Sequence, residues 1–375
     1  MLLARCFHYT ARTILLVIVV IIHFIIVSPN WVGATSTWRP RSKSAAYGHY
    51  IRKGLLQRGG SENKSFEVLA DERGDVTNTT EEQPLLFSTY SIRGERQYME
   101  DEYFIGDEGR FAAVFDGHGG SAVSRYLRMN LYAAVQAAHG SFSSMEALTQ
   151  EIQDESLKSA STDDLAIVSA FRTAYQKIDN EIQDISHWSF QGSTSLAVVI
   201  HQNVDGTRSI ISGNVGDSRA ILGQNRQAID LTRDHKPNDD IERNRIVNLG
   251  GTVDWCGQVD RLGRPVEHTG VYRINGNLAL SRSIGDRSER PWVSSEVEIR
   301  VHRIEDDIDS FVLIATDGLF DVMTSQEVVS YVHEVLDNTE LEYKDESRRN
   351  ISKAVTEEAL RRGSVDNITV LVIWL

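Results

Sequence analysis

The chain has 375 residues, of which 41% are hydrophobic and 25% are charged, a composition typical of a globular protein. Its formal net charge of −14 argues against a nucleic-acid partner, because phosphate backbones are bound by surfaces rich in lysine and arginine. The two cysteines, Cys6 and Cys256, lie far apart in the sequence. This spacing argues against a disulfide framework and favours a reducing compartment.

An apolar segment near the N-terminus is the first predicted element. Residues 13–38 contain no Asp, Glu, Lys or Arg, and the densest apolar stretch is residues 14–27. That stretch is short for a membrane span, which needs about 20 apolar residues, but Trp31 and Val32 could extend it into the membrane interface. Two arginines precede the segment, and six basic residues follow it by position 58. The positive-inside rule therefore predicts a signal anchor with the remainder of the chain in the cytosol.

Two alternatives to the anchor are a cleaved secretory signal and a peripheral or buried helix. A short span suits a thin bilayer such as that of the endoplasmic reticulum. Residues 61–83 are polar and acidic and are predicted to form a linker. The linker carries glycosylation acceptor sequences at Asn63 and Asn78, which would be used only in a lumen.

Carboxylates follow apolar stretches at several points in the body of the chain. Residues 111–115 lead into Asp116, and residues 311–315 lead through a threonine into Asp317. Two more acids lie beside other apolar runs, namely Asp217 and Asp366. We expect buried strands to carry these acids to their ends. Repeated strand-end aspartates with few nearby His or Cys residues indicate an oxygen-ligand site for Mg²⁺ or Mn²⁺.

The other predicted elements are strands and helices in separate blocks. Strands are expected at residues 195–201, 209–211, 220–222, 311–315 and 368–375. Helices are expected at residues 121–138, 165–182 and 347–362, and a capping box of Thr324 and Glu327 begins another. Four consecutive residues, 161–164, could each cap the second helix, so its start is left open. This order predicts an α+β fold.

Eight short motifs occur in an order that identifies a family. They are Met99-Glu100-Asp101, Asp116-Gly117-His118-Gly119-Gly120, Gly192-Ser193-Thr194, Gly216-Asp217-Ser218-Arg219, Asp234-His235-Lys236-Pro237, Leu280-Ser281-Arg282-Ser283-Ile284-Gly285-Asp286, Asp317-Gly318 and Asp366-Asn367. From about residue 87 to residue 375 the chain resembles the PPM family of metal-dependent Ser/Thr protein phosphatases, also called type 2C. With its N-terminal apolar segment, it looks most like the membrane-anchored 1L branch.

The resemblance implies a fold and a domain plan. The expected fold is a sandwich of two antiparallel β-sheets flanked by helices, with metals at one end and an N-terminal transmembrane segment. The expected divisions are a membrane anchor over residues 1–38, crossing the bilayer with residues 13–37, a basic then acidic linker over 39–86, and a phosphatase domain over 87–375. Residues 234–277 resemble the flap beside the active site, and residues 254–271 look like an insertion in it.

The resemblance also implies a centre that holds two ions of Mg²⁺ or Mn²⁺. Asp116 is expected to bridge the ions, and the carbonyl of Gly117 to complete one coordination shell. Asp317 and Asp366 are expected to bind one ion, and Glu100 to support the other through water. Such a pair of ions neutralises charge and activates water.

Four further residues are assigned to this centre by the resemblance. Asp101 is expected to order ligands and water, although a purely structural role is an equal alternative. Asp217 and Asp321 belong to a third, weaker metal site in the family, whereas as plain sequence they also fit a turn and a helix-start charge. Thr194 is expected to support the same part of the site as Asp217 and Asp321 and to contact substrate.

Two residues are expected to act on the substrate itself. Arg96 stands where the family has an arginine that grips the substrate phosphate, and a guanidinium fork fits two phosphate oxygens. Arg93 is close enough in sequence to be a rival. His118 is the expected general acid, because a serine or threonine alkoxide is a poor leaving group.

The leading functional hypothesis is a membrane-tethered Ser/Thr protein phosphatase at the endoplasmic reticulum. Its family analogy implies phosphorylated kinases, including those of stress-activated cascades, as substrates, and a negative role in kinase signalling. The second hypothesis is a catalytically inactive relative that binds partners. The third is a metal phosphodiesterase acting on nucleotides, against which the acidic charge and the complete motif order argue.

Overall fold

The computed structural model describes residues 83–140, 157, 160–266, 269–304 and 310–375. Its strands, in chain order, are β1 (Phe87–Ile92), β2 (Glu102–Gly106), β3 (Phe111–Phe115), β4 (Gly117–His118), β5 (Gly192–Ser193), β6 (Ser195–Gln202), β7 (Arg208–Val215), β8 (Arg219–Gln224), β9 (Gln227–Asp230), β10 (Val253–Cys256), β11 (Val271–Ile274), β12 (Ile284–Gly285), β13 (Glu298–Ile304), β14 (Phe311–Ala315) and β15 (Ile368–Trp374). Its α-helices are α1 (Ala122–Gly140), α2 (Thr162–Gln183), α3 (Asp240–Asn248), α4 (Asp317–Phe320), α5 (Ser325–Asp337) and α6 (Lys344–Arg361).

Two five-stranded antiparallel sheets form the centre of the fold. One has the order β1-β15-β14-β8-β9 and the other β13-β7-β6-β3-β2. Strands β14 and β15 are neighbours, with Ala315 opposite Val370, and β2 and β3 are neighbours, with Glu102 opposite Phe115. A short three-stranded sheet of β12, β5 and β4 joins the glycines after Asp116 to the segment that ends at Gly285.

Alternation along the central strands explains why the sheets are covered on both faces. In β3, Ala112 and Val114 belong to the core between the two sheets, whereas Phe111, Ala113 and Phe115 pack with the helices α1 and α2. Strand β14 alternates in the same way between the inter-sheet core and the helices α5 and α6. Successive side chains point to opposite faces of a strand, so continuous apolar runs fit strands buried on both sides.

The structure confirms the predicted sandwich of antiparallel sheets flanked by helices. The helix expected at residues 165–182 spans Thr162–Gln183, and the open choice of cap is resolved in favour of Ser161, whose hydroxyl accepts a hydrogen bond from the Asp164 amide in a capping box. The capping box of Thr324 and Glu327 is also present. The helix expected at 347–362 begins earlier, at Lys344.

The flap region contains α3 and a two-stranded hairpin of β10 and β11 that begins at Val253, one residue before the expected insertion. Trp255 and Tyr272 stack edge to face across this hairpin with ring centroids 5.1 Å apart. Cys256 is an exposed free thiol there.

The predicted membrane anchor, residues 1–38, and residues 39–82 of the linker lie outside the described residues. Among the helices formed by residues 83–140, 160–266, 269–304 and 310–375, none is both long and apolar enough to cross a bilayer.

Candidate active site

The predicted acids gather where the ends of the two large sheets meet. Asp116 follows β3, and Asp317 begins α4 after one intervening residue, Thr316, which follows β14. The side chain of Asp101 ties the two sheets together, because its Oδ2 accepts hydrogen bonds from Thr316 Oγ1 at 2.9 Å and from Thr369 Oγ1 at 2.8 Å. Asp101 is thus both part of the acidic cluster and a structural clamp.

The loop before β15 is held against the segment that carries Glu100. The Glu100 amide donates to Asn367 Oδ1 at 2.8 Å, and Asn367 Nδ2 donates to the carbonyls of Arg93 and Tyr98 at 2.8 and 3.0 Å. Asn367 therefore fixes Asp366 beside Glu100. The motif Asp366-Asn367 pointed to this position, but sequence reasoning gave the asparagine no role.

Glycine is required at position 117 by close packing. A Cβ at this position would lie 2.6 Å from the Glu100 carbonyl oxygen and 2.7 Å from Ser124 Oγ. Only a residue without a side chain lets the backbone after Asp116 approach so closely. This packing holds the main chain at Gly117 against the Glu100 carbonyl and Ser124.

Burial and mutual repulsion raise the pKa values of the clustered carboxylates. Burial raises the pKa of Asp116 well above its ordinary value, and the charges of Asp101, Asp317 and Asp217 raise it further. Burial and the charge of Asp217 likewise raise the pKa of Asp317. Burial raises the pKa of Asp101 to about 7, against the lowering effect of its two threonine hydrogen bonds. Buried like charges favour protonation unless a cation compensates them.

The donor set fits a hard divalent cation. It consists of carboxylates and a backbone carbonyl, which are ligands that Mg²⁺ and Mn²⁺ prefer. Asp101 Oδ1 and Asp217 Oδ1 are buried and accept no hydrogen bond within the described part of the chain. Across the same residues, no three His, Cys, Asp or Glu side chains form a preassembled metal cluster. The acids therefore have the right chemistry for a cation, although no three of the described side chains converge on a single ion position.

Two protein cations already neutralise part of the cluster. Arg96 Nη2 lies 2.5 Å from Asp366 Oδ2, and the Lys236 ammonium pairs with Asp217. Burial lowers the pKa of Lys236, but the charges of Asp217 and Asp317 outweigh this and raise it above the ordinary value. A cation that binds here must compete with Arg96 for Asp366 and with Lys236 for Asp217. The motif Asp234-His235-Lys236-Pro237 contained this lysine, but no role was predicted for it.

The two arginines considered for phosphate binding, Arg96 and Arg93, have different surroundings. The side chain of Arg96 is 58% exposed while its guanidinium lies at Asp366, so it is accessible beside the acids. Arg93 instead donates to the carbonyl of Gln97 at 3.2 Å.

The two remaining predicted site residues, Thr194 and Asp321, have different surroundings. Thr194 is buried at 1% exposure, and its hydroxyl accepts from the Asp116 amide at 3.0 Å and contacts Ser218 Oγ at 2.8 Å. The hydroxyl therefore supports Asp116, and the predicted contact of Thr194 with substrate is not supported. Asp321 lies at the rim, where desolvation and the charge of Asp217 raise its pKa, although Lys236 lowers it.

His118 has a buried acidic partner. Its Nε2 lies 2.6 Å from Asp286 Oδ2, and Ser283 Oγ donates to the same oxygen at 2.5 Å. The Asp286 amide donates to the Gln191 carbonyl at 3.0 Å, which fixes the turn that carries it. Burial lowers the pKa of His118, but the hydrogen bond and charge of Asp286 outweigh it and raise the pKa above the ordinary 6.5. Asp286 ends one of the eight motifs, yet sequence reasoning did not assign it a partner.

Comparisons with known proteins agree with this geometry. The family model for protein phosphatase 2C matches residues 87–368. The probable protein phosphatase 2C 30 of Arabidopsis thaliana is 33% identical over 297 residues, which cover 77% of this chain and 66% of the relative. The probable protein phosphatase 2C 69 of the same plant is 34% identical over 291 residues, which cover 76% and 68%. This chain thus spans about two thirds of the length of these relatives.

Solved structures show the same fold. The structure of a C. elegans sex determining protein has a TM-score of 0.62 and 25% identity, over 78% of this chain and 65% of that one. A serine-threonine phosphatase 2C from Toxoplasma gondii has a TM-score of 0.56 and 21% identity, over 77% and 94%. The family model matches most of the chain, and the motifs that it shares with the family meet in one site. The chain therefore belongs to the protein phosphatase 2C family of metal-dependent Ser/Thr protein phosphatases.

Proposed function

We propose that this chain hydrolyses phosphoserine and phosphothreonine in proteins. The single observation that carries the proposal is the meeting of the buried acids Asp116 and Asp317, the accessible Arg96 and the Asp286-bound His118 at one end of the sandwich. An acidic cation site, a phosphate ligand and a proton donor are the three parts that phosphomonoester hydrolysis needs.

The cation site is assigned to Asp116, the Gly117 carbonyl, Asp317 and Asp366, with support from Glu100. Two ions of Mg²⁺ or Mn²⁺ bound there would supply charge neutralisation and an activated water. Asp217 and Asp321 are proposed to hold a third ion more weakly, since Lys236 already pairs with Asp217.

The side chains of the chain carry the remaining tasks. Arg96 binds two phosphate oxygens with its planar guanidinium and orients the phosphate over the acids. His118, whose Nε2 is bound to Asp286, donates the proton on its other ring nitrogen to the departing serine or threonine oxygen. Asp286 holds the imidazole in one orientation and favours its protonated form.

We further propose that residues 13–37 anchor the protein in the membrane of the endoplasmic reticulum with the catalytic domain in the cytosol. The basic residues after position 38 support this orientation. The proposed substrates are phosphorylated kinases, including those of stress-activated cascades, and the proposed role is negative regulation of their signalling at that membrane.

Hydrolysis of two substrates by the full chain tests the proposed reaction. With Mn²⁺ present, a phosphothreonine peptide should be hydrolysed and a cyclic nucleotide should not. Hydrolysis of only the cyclic nucleotide would favour a phosphodiesterase, and hydrolysis of neither would favour a non-catalytic binding protein.

A further inference from the structure

The turn that carries Asp286 contains two consecutive residues in the left-handed backbone region. Gly285 has a φ of +89°, and Asp286 has a φ of +45°. Non-glycine residues seldom adopt such values, so surrounding contacts must maintain the conformation. The Asp286 carboxylate is only 3% exposed and meets His118 from this turn. The contacts that hold Gly285 therefore also fix the position from which Asp286 binds His118.

Both backbone groups of Gly285 are bound by side chains. The Gly285 amide donates a hydrogen bond to Asp179 Oδ1 at 3.0 Å. The Gly285 carbonyl accepts hydrogen bonds from Gln183 Nε2 at 2.8 Å and from Arg290 Nη2 at 3.0 Å. Asp179 and Gln183 are four residues apart in the long helix α2 and therefore lie on the same face of it. The helix thus binds the turn through both its donor and its acceptor.

An ion pair between Asp179 and Arg290 completes this arrangement. Arg290 Nη2 lies 2.9 Å from Asp179 Oδ1, the same oxygen that accepts from the Gly285 amide. The guanidinium also donates to the Ser283 carbonyl at 3.2 Å, and the Ser283 hydroxyl in turn donates to Asp286. Asp179 is 7% exposed. The turn is therefore attached to α2 by a buried network and not by a surface ion pair.

The contact between His118 and Asp286 is sensitive to the position of the turn. Its N–O distance is 2.6 Å, and a Cβ at Gly192 would lie 2.1 Å from Asp286 Oδ2 and 2.5 Å from His118 Nε2. The pair is thus packed against the main chain at Gly192. A retreat of the turn by about 1 Å would stretch the contact beyond hydrogen-bond range, and misplacements of that size can cost about 10² in rate.

We propose that Asp179 is a positioning residue for the proton donor His118 and acts through the turn that carries Asp286. This inference rests on the proposed phosphatase function, in which His118 protonates the leaving oxygen. Within the described part of the chain, the side-chain hydrogen bonds of Asp179 go to Gly285, Arg290 and Ser295. Loss of the Asp179 charge should therefore impair proton transfer and leave the acids assigned to the cations in place.

Single-turnover hydrolysis of two substrates by the full chain at saturating Mn²⁺ tests this role. Asp179→Asn removes the charge that holds Arg290. It should slow hydrolysis of a phosphothreonine peptide by about tenfold to 100-fold, the range for residues that orient an active group. It should slow hydrolysis of p-nitrophenyl phosphate much less, because that leaving group needs little protonation. Gln183→Leu removes one donor to the turn and keeps the ion pair, so it should give the same selective loss to a smaller extent.

An exposed ion pair elsewhere provides the matched control. Asp337 and Arg226 lie 2.9 Å apart, the same distance as Asp179 and Arg290, but their side chains are 52% and 63% exposed. Asp337→Asn should leave both rates unchanged. Circular dichroism establishes that each variant is folded before its rates are compared.

A double variant tests whether Asp179 acts through Asp286. If it does, Asp286→Asn already causes the selective loss on the phosphopeptide, and adding Asp179→Asn should not change the ratio of the two rates further. Losses in this ratio that multiply in the double variant would overturn the proposed route.

The remaining outcomes separate this inference from the function on which it rests. Equal slowing of both substrates by folded Asp179→Asn, or unchanged rates on both, would overturn the positioning role while the phosphatase function stands. If Asp179→Asn does not fold, Gln183→Leu decides by the same two criteria. Failure of the wild-type chain to hydrolyse the phosphopeptide would overturn the proposed function together with this inference.

Discussion

His118 Nε2 lies 2.6 Å from Asp286 Oδ2, although 168 residues separate the two in sequence. The contact joins the glycine-rich turn after β3 to the end of the segment that contains β12. It fixes which imidazole nitrogen is free to face a substrate, and it raises the pKa of His118 above the ordinary 6.5 even though burial lowers it. One buried carboxylate therefore positions the proposed acid catalyst and favours its protonated form.

Replacement of Asp286 should shift the pH dependence of catalysis. Because Asp286 favours protonated His118, Asp286→Asn should lower the pKa of the histidine, so that phosphopeptide hydrolysis declines at a lower pH. A decrease of one pKa unit corresponds to an approximately tenfold lower rate on the alkaline side. The pH profile of kcat measures this shift, and Asp345→Asn, which changes an aspartate that is 83% exposed, is the control. An alkaline limb that does not move would contradict the positioning role.

Replacement of His118 should affect substrates according to their leaving group. An alkoxide needs a proton in the transition state, whereas p-nitrophenolate leaves without much help. His118→Gln should therefore slow phosphopeptide hydrolysis by about 10²–10⁴, the range for general acid catalysis, and p-nitrophenyl phosphate hydrolysis much less. Single-turnover rates at saturating Mn²⁺ isolate the chemical step. Equal losses on both substrates would assign His118 to positioning.

Glu242 should be a stability determinant of the flap. Its fully buried carboxylate contacts Arg282 at 2.6 Å and Arg245 at 3.0 Å. Removing one partner of a buried ion pair costs about 3–5 kcal/mol, so Glu242→Gln should lower the free energy of unfolding by that amount in urea titrations. Glu357→Gln removes an exposed pair with Lys353 and should cost less than about 0.5 kcal/mol. Similar losses of unfolding free energy in both variants would show that burial does not strengthen the stabilisation by the Glu242 ion pairs.

The Glu242 cluster also gives a pH dependence with a defined sign. Burial raises the pKa of Glu242, but Arg282 and Arg245 outweigh it and lower the pKa from 4.5 to about 2. Because the folded value lies below the unfolded one, the stabilisation is present above about pH 4.5 and is lost as the pH falls towards 2. Wild-type stability should decline across this interval more steeply than that of Glu242→Gln.

The membrane orientation can be tested with sealed microsomes that contain the full chain. Added protease should digest the catalytic domain, and Asn63 and Asn78 should carry no glycan, because the basic stretch after position 38 is expected on the cytosolic side. Permeabilised microsomes are the control for protease access. A protected and glycosylated domain would show the opposite orientation.

The fold could be predicted from the sequence where one local pattern dominates. The apolar run of β3 and the capping box at Thr324 each specify a local structure, and the structure contains both. The cap of α2 was left open among four residues, and the structure uses Ser161. The predicted start of α6, residue 347, is three residues late, because the first turn from Lys344 is polar and has no side-chain cap. Apolar periodicity gives no signal for such a turn.

The residue types of the candidate site could be predicted from the sequence, but the contacts between their side chains could not. The motifs pointed to Asp116 and Asp317, because strand-end carboxylates are recognisable locally. The contact of His118 with Asp286 joins segments that are 168 residues apart, and the contact of Lys236 with Asp217 joins the two ends of the β8–β9 hairpin. Neither pairing is visible in a local sequence pattern. Thr194 was expected at the substrate, yet its burial directs its hydroxyl to the Asp116 backbone instead.

The most direct test of the account is the cation dependence of phosphothreonine-peptide hydrolysis by the full chain. Activity should require Mg²⁺ or Mn²⁺, should vanish in excess chelator and should return when the cation is restored. Asp317→Asn should remain folded by circular dichroism and lose nearly all activity, because it removes one negative ligand, whereas Asp345→Asn should retain activity. Full hydrolysis in excess chelator, or full activity of Asp317→Asn, would contradict the proposal that these acids hold the catalytic cations.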